Sequence, residues 1–261
     1  SRAPATSRRC SRALCRALLF SNRPDEAETA FREAVSIARG LEDSHVLFGA
    51  LSAILPGRWF PDRLALRIEA AREAIEVGRV AGPPEWTVGY LTGWHTGDLM
   101  EFGDTAGAKS AALYHLASNE KLGEPFIEAV AVAALAMIAT HEGRSDEAGR
   151  LAAQAHKSGV RFDGANPAGI FGVQMFTLRR HQGRLREVAP VLKLFLESEA
   201  PQGTWRPGLA ILHCELGELD AAREIFERMA ADGFSSLAYD AIWVAGIAYL
   251  AQVWVPVREG G

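Results

Sequence analysis

Four glycines, Gly103, Gly143, Gly183 and Gly217, stand 40, 40 and 34 residues apart, and each is followed by the same apolar pattern. Five residues on come Ala108, Ala148, Val188 and Ala222; nine on come Ala112, Ala152, Leu192 and Phe226. Twelve on come His115, Ala155, Phe195 and Met229, and Asn22 starts a fifth copy with Ala27, Phe31 and Ala34. Offsets of five, nine and twelve fall on one face of an α-helix, so each glycine precedes an amphipathic helix with a defined buried side. His115 is the one polar residue among these fifteen positions. Glycine and asparagine tolerate the left-handed conformation that ends the preceding helix, and the small residue at offset five lets two helices approach closely. A unit of this length, built as a helix pair, predicts an all-α fold: an α-solenoid of about six antiparallel helix pairs with a terminal helix.

Helical periodicity dominates the rest of the chain, with Gly and Pro between the periodic segments. The spacing predicts helices over 8–21, 24–39, 43–55, 62–81, 84–101, 104–120, 124–142, 145–159, 166–182, 184–199, 204–216, 218–231 and 238–252. One helical domain over 1–261 is expected, with ragged ends at 1–7 and 253–261. Short joints make consecutive helices antiparallel neighbours. The joint Pro56-Gly57-Arg58-Trp59 departs from the pattern. Val130 to Ile138 is the most apolar run; it is shorter than the roughly 18 residues a membrane span needs and reads as a buried helix.

With 48% hydrophobic and 23% charged residues, the chain is not compositionally disordered. A net charge of −4 gives no basic surplus for generic nucleic-acid binding. The three cysteines, Cys10, Cys15 and Cys214, cannot close a disulfide framework, which points to a reduced, cytoplasmic setting. Residues 1–16 carry Arg2, Arg8, Arg9, Arg12 and Arg16 and no acid, a composition shared with transit peptides. Ala13, Leu14, Ala17, Leu18 and Leu19 keep helical spacing there, which favours a basic first helix instead.

Motifs of chemistry are few. Gly103-Asp104-Thr105-Ala106-Gly107-Ala108-Lys109-Ser110 approaches a phosphate-binding loop, but Ala108 stands where that motif has glycine, and a helix precedes it rather than a strand. His141-Glu142 begins like a zinc-protease helix, yet position 145 is Ser145. Cys214 stands beside His213, but sequence neighbours on a helix point about 100° apart and do not form a nucleophile and base pair by themselves. No metal site and no cofactor is expected. Trp86, Tyr90 and Trp94 make an aromatic stripe at helical spacing, flanked by His95 and Asp98.

The offsets of five, nine and twelve from a glycine, with Glu147-Ala148 and Asp220-Ala221-Ala222 at the helix starts, resemble the second helix of the tetratricopeptide repeat. Met229-Ala230-Ala231-Asp232-Gly233-Phe234 followed by Asp240-Ala241-Ile242-Trp243 resembles the helical region of large bacterial regulators, which carry a cyclase, ATPase or LuxR-type DNA-binding module elsewhere. The resemblance implies a protein-interaction or sensor scaffold in bacterial signalling, in which the first helix of each pair lines a concave face. On that register the face carries Arg12, Arg16, Tyr90, Glu101, His141, Arg180, His181 and Cys214, with Trp94 and His95 beside it. The expected partner is a peptide, another protein or a second copy of the chain, without nucleic acid or membrane. The competing expectation is a hydrolase, esterase-like or phosphoesterase-like, with a groove pocket, a histidine base and a Ser or Cys nucleophile.

Overall fold

Each glycine joint is built the same way. Gly217 takes φ +80°, its amide donates to the Cys214 carbonyl at 3.0 Å, and the Glu218 amide donates to the His213 carbonyl at 2.9 Å. This paired 5→2 and 6→1 closure satisfies carbonyls that a helix end would otherwise leave orphaned, and its left-handed residue is why glycine stands there. Gly103 with Asp104, Gly143 with Arg144, and Gly183 with Arg184 repeat it, at φ +87°, +76° and +67°. Gly233 with Phe234 adds a fifth joint that the spacing argument did not include.

The computed structural model describes residues 23–54, 60–81, 85–120, 122–161, 167–199, 205–237, 239–240 and 242–259. The predicted helix 8–21, the anchor Asn22 and the Pro56-Gly57-Arg58-Trp59 joint lie outside them. The described helices are α1 (Pro24–Arg39), α2 (Ser44–Leu51), α3 (Leu64–Ala81), α4 (Glu85–Phe102), α5 (Thr105–Ser118), α6 (Pro125–His141) and α7 (Ser145–Gly159). They continue with α8 (Pro167–His181), α9 (Ala189–Glu199), α10 (Arg206–Leu216), α11 (Leu219–Ala231) and α12 (Trp243–Glu259). The protein is all-α, and its helices pack as sequential antiparallel pairs, α4 on α5, α6 on α7 and α10 on α11 among them. The chain forms two compact units that divide after Pro167.

The predicted apolar face is the packed one. Of its fifteen positions Phe195 has no described side chain; Val188 is half-buried and the other thirteen are buried. In the second unit Phe226 and Met229 of α11 join Leu209, Ala210, Leu212, Leu250 and Val253 in one core. In the first, Ala108 packs with Leu99 and Ile138.

Three boundaries differ from the periodicity. The segment from 184 starts as a 3-10 turn, Leu185–Glu187, and α9 begins only at Ala189, where Pro190 presets the first turn. The helix expected over 43–55 is α-helical only to Leu51 and closes as a 3-10 turn, Ser52–Ile54. The last helix, expected over 238–252 with a ragged tail, instead runs Trp243–Glu259 despite the internal Pro256. Val253 and Val257 are buried in the core below it, and that burial offsets the amide hydrogen bond Pro256 cannot make. Arg223 Nη2 of α11 also donates to the Val257 carbonyl at 2.9 Å.

The phosphate-loop-like segment is the start of a helix. Asp104 caps α5, its carboxylate accepting the Gly107 amide at 2.8 Å. The carboxylate thus occupies the place an anion would take, and Ala108 is fully buried as packing. A Cβ on Gly107 would lie 2.3 Å from that carboxylate, so this glycine belongs to the cap. Replacing Asp104 with alanine is expected to cost about 1 kcal/mol, with Asp104→Asn retaining most of it, in urea unfolding.

Candidate functional site

In the first unit the polar centre is a buried ion pair that sequence reasoning half-identified. Arg67, on the inner face of α3, is 2% exposed and Asp98, on α4, is 0% exposed. Arg67 Nε donates to Asp98 Oδ1 at 2.7 Å, Nη1 to the Phe60 carbonyl at 2.7 Å, and Nη2 to Glu101 Oε2 at 2.7 Å. One guanidinium therefore ties α4 to α3 and to the chain leading into it. Glu101 sits at the rim; burial raises its carboxyl pKa, and the charge and hydrogen bond of Arg67 pull it back down.

His95 is buried one turn before Asp98, and its Nδ1 meets no hydrogen-bond partner within the protein. Burial lowers its pKa, with the nearby Arg72 charge acting the same way and Asp104 opposing. It is a neutral core imidazole. Trp94 is half-buried on the same helix. The side chains of Trp86 and Tyr90 lie outside the described set, as do Arg12 and Arg16. His141, at the end of α6, is exposed.

In the second unit the register does bring residues together. Arg180 of α8 forks onto Glu215 of α10, Nε and Nη2 reaching Oε1 at 2.8 and 2.6 Å. Its Nη2 also donates to Gln252 Oε1 of α12 at 2.7 Å. Three helices thus share one polar seam, and the positive charge of Arg180 is neutralised within it. Sequence reasoning misses Gln252, because the helical pattern weakens there; the buried series Leu250, Val253, Val257 continues it. His181 is exposed beside this seam and Cys214 is half-buried.

The Cys214 thiol is pushed up from its ordinary pKa by burial and by Glu215, against a smaller opposing pull from Arg180. It is protonated at neutral pH and is a poor nucleophile. Its sequence neighbour His213 turns instead to Glu218, Nδ1 to Oε2 at 2.6 Å, where Lys193 also binds. Among the described residues no three His, Cys, Asp or Glu side chains cluster as metal ligands.

A different feature stands out on the surface. Val244, Ile247, Ala248, Ala251 and Val255 form one face of α12, spaced at helical intervals and all exposed, Val244 at 57% and Val255 at 53%. No charge interrupts that face before Arg258. Trp254 borders it, 46% exposed, with its ring stacked on Phe226 at 5.3 Å between centroids and 29° between planes. The guanidinium of Arg258 lies 6.0 Å from the indole centroid. Trp254 is therefore held in place by contacts within the chain.

No helix among the described residues is long and apolar enough to cross a membrane. Comparison with known proteins finds no family model that matches the chain and no curated protein similar to it.

Proposed function

We propose that the chain is a tetratricopeptide-like interaction scaffold, the helical-repeat part of a bacterial signalling regulator, and that α12 is its docking face. The observation that carries this reading is the exposed stripe from Val244 to Val255. An uninterrupted apolar helix face has no reason to stay in water; such faces mark interaction surfaces and take an amphipathic helix along their length. The stripe is complementary to itself, and Ala248 and Ala251 at its middle allow close approach. The occupant is then α12 of a second copy, in a two-fold pairing. The seam at Arg180, Glu215 and Gln252 stiffens the neighbouring face and leaves little free charge for an acidic peptide.

Sedimentation equilibrium tests this. The wild-type chain is expected to approach twice its 28.2 kDa mass at micromolar concentration. The double variant Ile247→Glu/Val255→Glu should remain a monomer. Arg180→Glu, which breaks a partly exposed pair worth less than about 1 kcal/mol, should pair like wild type. A double variant with the wild-type mass removes the α12 interface.

A further inference from the structure

The second unit holds an apolar pocket of about 120 Å³ among α8, α9, α10 and α12, partly open to solvent. Phe176, Leu192, Leu196, Trp205 and Tyr249 are among its lining residues, and among the described residues no charged side chain or histidine lines it. The rings of Phe176 and Tyr249 meet edge to face, with centroids 5.9 Å apart and planes at 71°.

Three glycines on three different helices also face it: Gly172 of α8, Gly208 of α10 and Gly246 of α12. None has a positive φ. A Cβ at Gly172 would meet Leu192 Cδ2 at 3.6 Å, one at Gly208 would meet Leu196 Cδ2 at 3.8 Å, and one at Gly246 would meet Leu237 Cδ2 and Pro207 Cγ at 3.5 Å. All are ordinary van der Waals contacts, so neither backbone nor packing demands glycine. Gly93 shows the contrast: a Cβ there would press to 2.9 Å from Val130 Cγ1 and 3.0 Å from the His115 ring. Each of the three therefore weakens its helix relative to alanine without a structural return. Their common consequence is an open apolar space.

We propose that this cavity binds a small neutral molecule with one aromatic ring. An enclosed apolar cavity of roughly 150 Å³ takes up benzene, and this partly open pocket offers space of the order a single ring needs. The described wall offers a buried charge no partner, which favours a neutral ligand. The aromatic wall adds edge and face contacts beyond simple area. Gly246 and Tyr249 lie on the side of α12 away from the exposed stripe, so this site stands whether or not the chain pairs through Val244 to Val255.

The test is a titration of the full chain with toluene and with phenol, followed by thermal unfolding and by the tyrosine and tryptophan side-chain NMR signals. Wild type should show a saturable response that moves the Tyr249 and Trp205 signals and raises the melting temperature. The variant Gly172→Ala/Gly208→Ala/Gly246→Ala should melt higher than wild type when no ligand is present and bind at least tenfold more weakly. A triple variant that melts lower would mean the glycines serve packing, and the proposal fails. It fails equally if wild type shows no saturable response, as a socket for a partner's side chain would, or if the triple variant binds as wild type does.

Discussion

Replacing Arg67 with methionine is expected to cost about 3–5 kcal/mol, the usual cost of removing one partner of a buried ion pair. Methionine can fill the aliphatic path of the arginine but carries no charge. The Asp98 carboxylate, 0% exposed, then loses the 2.7 Å guanidinium contact, and the Phe60 carbonyl loses its donor. In thermal unfolding this corresponds to a drop on the order of 10 °C for a chain of this size. The double variant Arg67→Met/Asp98→Leu should recover most of the loss, because it removes both charges and leaves apolar side chains to fill the space. Glu101→Gln should cost much less, since Glu101 is 39% exposed and water substitutes for its part of the contact. If Arg67→Met unfolds at the wild-type temperature, the pair does not tie α3 to α4.

His115 sets the second large effect, which depends on pH. It is 1% exposed on α5, its ring close against Gly93, and neither ring nitrogen meets a hydrogen-bond partner within the protein. Burial alone lowers its pKa from 6.5 to about 4. The unfolded chain takes up a proton near pH 6.5 while the native state stays neutral, so the unfolded state binds more protons across this window. Stability contributed by the neutral ring is fully present above pH 6.5 and is lost as pH falls towards 4. The loss reaches about 2 kcal/mol by pH 5 and roughly 3 kcal/mol by pH 4. His95 adds to the same trend, its pKa also being lowered by burial. Urea midpoints at pH 7.5 and pH 5 check this. His115→Leu, close in size and without a titrating group, should show a clearly smaller acid loss than wild type. Equal losses in the two proteins would mean that the His115 ring is reached by a proton without unfolding.

The register that His115 interrupts was legible because it is local. Gly103, Gly143, Gly183 and Gly217 announce left-handed joints by their chemistry, and the offsets after them follow from 3.6 residues per turn. Ala108, Ala148 and Ala222 are correspondingly buried, and Arg180 and Glu215 do meet across α8 and α10. What was hidden depends on distance in sequence. Arg67 and Asp98 are 31 residues apart, and nothing local marks Arg67 as the one arginine of α3 that turns inward. The extension of α12 was masked by Pro256 and by β-branched valines, which weaken the helical signal while Val253 and Val257 supply the burial that overrides it. Pro190, read as a helix start, would have placed α9 correctly. The cavity was invisible for a simpler reason: Gly172, Gly208 and Gly246 look like ordinary helix interruptions until three helices bring them to one wall.

Pairing through α12 can be observed directly with a chain in which Cys10, Cys15 and Cys214 are replaced by serine and one cysteine is introduced. Ala251→Cys places a thiol at the middle of the stripe, and Glu227→Cys places one on the exposed side of α11. Under mild oxidation at micromolar concentration, the Ala251→Cys chain should convert to a disulfide-linked dimer quickly, since two-fold pairing sets the two thiols against each other. The Glu227→Cys chain should remain monomeric over the same time, and adding Ile247→Glu/Val255→Glu should abolish the Ala251→Cys crosslink. Crosslinking at Ala251→Cys no faster than at Glu227→Cys would contradict the α12 interface and the scaffold reading built on it.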